Sequence, residues 1–166
     1  VILRLSQNLN GKIKAGPLKT APLDDNPYAD WSARLFTADR TQYILLSNTW
    51  SLYSTVMFGR GITSDWLFIE RALENLREFM KDDSLEFMYR QFIAPATDVV
   101  QFGKALDHSV TGSMNELVAF ARAWLIPGEL SPYDIGFKLN DVLLSAVARD
   151  QSEGYGTPRE AFKRMG

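Results

Sequence analysis

The chain has 166 residues, 46% hydrophobic and 23% charged, with a formal net charge of -2, one histidine and no cysteine. Its length fits one domain spanning 1–166 that buries roughly 70% of its unfolded surface. Its composition excludes disulfides, thiolate nucleophiles, Cys-based metal sites and multi-His metal centres, while a pI near 5.4 supplies no global basic field for nucleic acid. The sequence opens VILRL, a short strand. Ser6 then caps a helical turn reaching Lys14, with Leu9 and Ile13 one turn apart. Ala15–Asp30 carries Pro17, Pro22 and Pro27 without periodicity and reads as a long solvated loop, its lysines offset by Asp24, Asp25 and Asp30.

The centre of the chain is Trp31–Phe58, predicted as a three-stranded antiparallel meander over about 31–58. Trp31, Ala33, Leu35 and Thr37 alternate with Ser32, Arg34 and Phe36, and Tyr43, Leu45 and Ser47 alternate with Ile44 and Leu46. Asp39-Arg40 and Asn48-Thr49 supply the turns, and Leu52–Phe58 is the third strand. Both faces are largely apolar, so helices must cover them.

Gly59-Arg60-Gly61 leads into a helix with Trp66, Ile69, Ala72, Leu73, Leu76, Phe79 and Met80 on one face. A shorter helix follows to about Phe92, closed by Pro95, and Thr97–Lys104 reads as a strand. Three capped helices are predicted next. Ser113-x-x-Glu116 forms a capping box, Ser131-Pro132 opens a helix with Ile135, Leu139, Val142 and Ala146 on one face, and Thr157-Pro158 opens the last. The Met and Trp residues are read as lying on helix stripes and are all assigned to the core. The expected fold class is α+β, a mostly antiparallel sheet covered by helices. Leu117–Ile126, the longest apolar stretch, is broken by Arg122 and is too short to span a bilayer, and no signal-peptide pattern opens the chain. A soluble, cytoplasmic protein is expected, without membrane contact.

Residues with chemical potential are few. The Gly59–Ser64 loop lies between strand and helix, where anions bind, but lacks the glycines or Gly-Lys-Ser/Thr of phosphate loops. Asp107-His108-Ser109 contains triad residue types, and Ser113 is a conceivable partner for His108, yet no Gly-x-Ser-x-Gly elbow surrounds it. Arg40 and Asn48 occupy turns, while Asn115 and Asn140 flank helices and suit either a buried tie or a ligand contact. No metal site and no cofactor are expected.

The stretch WSARLFTADRTQYILLSNTWSLYSTVMFGRGI, followed by HSVTGSMNEL, resembles a family of uncharacterised bacterial proteins, a domain of unknown function. SQNL near the start and GYGTPREAF near the end are similar to its weaker terminal motifs. The resemblance covers nearly the whole chain and implies a full-length family domain with no assigned activity. The matching motif positions are Asp39, Arg40, Asn48, Ser109, Gly112, Ser113, Met114 and Asn115. His108 stands where the family tends to carry Arg, and the Pro expected soon after Asn140 is missing.

These observations favour a non-catalytic interaction or small-ligand-binding protein with Arg40, Asn48, His108, Ser109, Ser113 and Asn115 as candidate binding residues. A hydrolase or transferase using His108 with Ser113 or Asn115 is the first alternative. Nucleic-acid binding through Arg34, Arg40, Arg60 and the Lys12–Lys19 cluster is the second. The expected partner is a protein or a small molecule, and the sequence leaves its identity and the oligomeric state open.

Overall fold

A computed structural model describes residues 1–106, 108–144 and 156–165, with His108 described by its backbone. The strands are β1 (Ile2–Leu5), β2 (Asp30–Ala38), β3 (Thr41–Asn48), β4 (Ser54–Phe58) and β5 (Gln101–Lys104). The helices are α1 (Gln7–Ile13), α2 (Asp65–Asp82), α3 (Glu86–Met88), α4 (His108–Leu125), α5 (Pro132–Leu139) and α6 (Pro158–Lys163). The fold is α+β, around one five-stranded sheet in the order β4-β3-β2-β1-β5. The predicted meander forms its antiparallel side, with Leu35 opposite Ile44 and Leu45 opposite Val56. The other side is parallel: β1 pairs with both β2 and β5, so the sheet is mixed.

Register sorts the side chains onto two faces, because directly paired residues share a side. One face presents Leu3, Trp31, Ala33, Leu46, Ile44 and Met57 to a core that includes Leu9 of α1 and Phe68, Ala72, Leu76 and Phe79 of α2. The opposite face presents Phe36, Tyr43, Leu45 and Val56 to Met114, Leu117 and Ala121 of α4 and Ile135 and Leu139 of α5. A row of small and polar residues crosses that second face in register: Gly103, Arg4, Ser32, Ser47 and Ser54. Ser47 Oγ and Ser54 Oγ lie 2.6 Å apart, and Ser32 Oγ lies 2.8 Å from Thr49 Oγ1. Buried hydroxyls are thereby paired with one another, which removes most of their desolvation cost.

The caps on Ser6, Ser64, Ser131 and Thr157 each accept a bond from a first-turn N–H. Other expectations need correction. Trp66 is 68% exposed and Phe68 takes its place in the core, because Trp66–Ile69 is apolar all round the helix and period alone cannot choose its buried side. Trp50, 53% exposed, lies in a turn, so the assignment of every Trp to the core fails. Pairing in the fifth strand begins at Gln101, after a π-helical turn at Tyr89–Ile93 and a 3₁₀ turn through Pro95. Ala146 lies outside the described residues, as do Gly154 and Tyr155 of the terminal motif.

Helix α5 closes the β4 edge. Asn140 Oδ1 accepts from the Ser54 N–H at 2.8 Å, and its Nδ2 donates to the Ser54 carbonyl at 2.9 Å, so one side-chain amide pairs with an edge residue as a neighbouring strand would. Of the two roles open to Asn140, the geometry is that of the buried tie.

Candidate functional site

Helix α4 starts directly after β5 and lies across β2. Its Val110, Met114, Leu117, Val118 and Ala121 recur at helical spacing against the second core. This stripe extends the helix back to His108, one turn before the expected capping box. Ser113 is thus an interior residue, 4% exposed, and caps nothing. Burial of Val110 and Met114 on one face outweighs the local Ser-x-x-Glu signal.

Two arginines tie α4 to β2. Arg34 donates through Nη1 to Asn115 Oδ1, and Arg122 Nε donates to the Thr37 carbonyl at 2.9 Å. Below the first turns of α4, a cavity of about 70 Å³ opens at the ends of β1 and β5. Its lining includes Arg4, Ser6, Ser32, Arg34, Leu106, Val110, Thr111 and Met114. Arg4 is fully buried, and its charge is already spoken for. Nε and Nη2 contact both Asp30 oxygens at 2.8 Å, while Nη1 and Nη2 reach the carbonyls of Ala21 and Pro22 at 2.8 and 3.0 Å. A buried pair of this kind holds the Ala15–Asp30 segment onto the sheet; removing either partner would strand a charge in the interior. Arg34 differs. Among the described residues it has no carboxylate partner, and burial first, then the charge of Arg122, holds its pKa below the usual arginine value.

A family model described as a domain of unknown function, DUF6933, matches residues 2–161. The chain belongs to this family. No curated protein and no solved structure matches it. The DUF6933 match therefore runs from β1 into α6, across the whole sheet and both cores.

Within this DUF6933 fold the six sequence candidates separate. Asn115 and Ser109 are exposed on α4, and Asn115 stands beside the cavity through its bond from Arg34. The side chain of His108 lies outside the described residues. Arg40 is exposed at the far tip of the β2–β3 hairpin, where Asp39 and Arg40 both take left-handed backbone, φ 46 and 66. Asn48 is fully buried and completely engaged. Its Nδ2 donates to the carbonyls of Pro27 and Asp30, and its Oδ1 accepts from the N–H groups of Trp50 and Ser51 and the Ser51 hydroxyl. Neither Arg40 nor Asn48 lines the cavity.

Sequence reasoning missed Arg4, Asp30 and Ser32 as site neighbours and saw Arg34 only as a nucleic-acid contact. A signal existed for Arg4: a charged residue inside an otherwise apolar strand needs a buried partner. Among the described residues no group of three His, Cys, Asp or Glu is placed to hold a metal ion, and no helix is long and apolar enough to cross a membrane.

Proposed function

We propose that this domain is a non-catalytic binding module that takes the anionic group of a small ligand in the cavity beneath α4. The observation that carries this reading is Arg34, a half-buried guanidinium without a carboxylate partner among the described residues, on the wall of a cavity of about 70 Å³. Asn115 occupies part of the guanidinium's donor fork, which leaves other N–H groups for a carboxylate or phosphate oxygen. Ser6, Ser32 and Thr111 add hydroxyls to the same wall. A cysteine-free chain suits a cytoplasmic home, where such anions are plentiful.

Titration with inorganic phosphate and with acetate, followed by amide NMR, tests the proposal. The expected result is saturable shifts at residues 32–34 and 110–115, lost in Arg34→Gln. Asn115→Ala, at an exposed position, should weaken the response and move the melting temperature little. Equal responses from wild type and Arg34→Gln would overturn the assignment.

A further inference from the structure

A second cavity, of about 310 Å³, lies on the other side of the molecule, between the end of β4 and helix α2. Arg71, Glu74, Asn75 and Glu78 line it at three- and four-residue spacing, so they form one strip of α2. Arg60 reaches it from the turn after β4, and Met57, Phe58 and Ile62 supply an apolar wall. Tyr133 of α5 closes one end, its hydroxyl held by Asp82 Oδ2 at 2.5 Å.

One observation points to a ligand: among the described residues Arg60, Arg71 and Glu74 form no ion pair, so charges of both signs stand around one cavity without neutralising each other. A simple anion placed here would meet Glu74 and Glu78, and a simple cation would meet Arg60 and Arg71. Only a molecule carrying both charges satisfies both sides. The wall of Met57, Phe58 and Ile62 suits an aliphatic side chain. We propose that this cavity binds a small zwitterion, a free aliphatic α-amino acid. Its carboxylate meets Arg60 and Arg71, its ammonium meets Glu74, and its side chain lies on the β4 wall. This site is independent of the anion cavity under α4.

Amide NMR with leucine as the probe tests the inference, with isoamylamine and 4-methylpentanoate as analogues that each lack one charge. Leucine should give saturable shifts at residues 57–62 and 71–78, and each analogue should bind at least roughly tenfold more weakly, having lost one charge-assisted contact. Arg71→Gln and Glu74→Gln should each weaken leucine binding by a similar factor without lowering the melting temperature. Absence of shifts at millimolar leucine overturns the proposal, as does equal binding of either analogue or unchanged affinity in both charge variants.

Discussion

Asn48 illustrates how a single side chain organises the turn between β3 and β4. Five hydrogen bonds converge on its amide, three of them from Trp50 and Ser51 and two to the segment that leads into β2. Asn48→Ala would leave those N–H and carbonyl groups without partners in the interior. We expect a loss of about 3 kcal/mol or more, at the upper end for orphaned buried groups, measured by urea denaturation. Tyr53 makes a second residue-scale case. Its hydroxyl donates to Asp83 Oδ2 at 2.6 Å, and burial first, then that bond, raises its pKa above the ordinary tyrosine value. An unfolded tyrosine ionises near about pH 10. The folded one stays neutral there, so its contribution is whole below that pH and is lost as the pH rises beyond it. Tyr53→Phe should therefore cost about 1–2 kcal/mol at neutral pH and flatten the decline in stability between about pH 9 and 11, read from denaturation midpoints. Tyr133, shifted the same way, keeps part of that slope.

At the scale of elements, the close approach of α5 to α2 depends on Gly136. A Cβ built there would stand 2.6 Å from Phe79 Cε2, and that ring is fully buried, stacked on Phe137 at 4.4 Å. Gly136→Ala should cost about 1–3 kcal/mol through overpacking, despite the better helix propensity of alanine, and thermal denaturation will show it. The elements also show what the sequence could disclose. Strands β2, β3 and β4 were legible because alternation and turn chemistry are local, and antiparallel neighbours sit one turn apart. The parallel pairing of β1 with β5 left no such trace, since strands distant in sequence carry no shared signal. Helix α4 misled in the opposite way: a well-formed local cap motif lay inside a helix whose true start is set by the apolar stripe it buries. The same logic governs the sites. Asn48 and Arg40 were conspicuous as turn residues. Arg34 and Arg71 gain their interest only from lacking a carboxylate partner among the described residues, which no single sequence displays.

For the whole molecule, strand order carries a consequence for how the chain assembles. The β2–β3–β4 meander needs only short loop closures, as Ala38 pairs with Thr41 across a two-residue turn. Strand β1, by contrast, lies between β2 and β5, with Leu3 opposite both Trp31 and Phe102. The first strand of the sequence cannot be enclosed on both sides until the chain through residue 104 is available. Closing so long a loop carries a large entropic cost before its contacts form. The meander should thus serve as the template, with β1 and β5 zipping onto its edge late. Pulsed hydrogen exchange during refolding should find the Ile44–Leu46 amides protected before those of Leu3–Leu5. Simultaneous protection would mean that the sheet forms in one step. In a chain emerging from the ribosome, the apolar strand VILRL would wait with one edge unpaired until residue 104 is available, and that interval is when the domain is most exposed to edge-to-edge association.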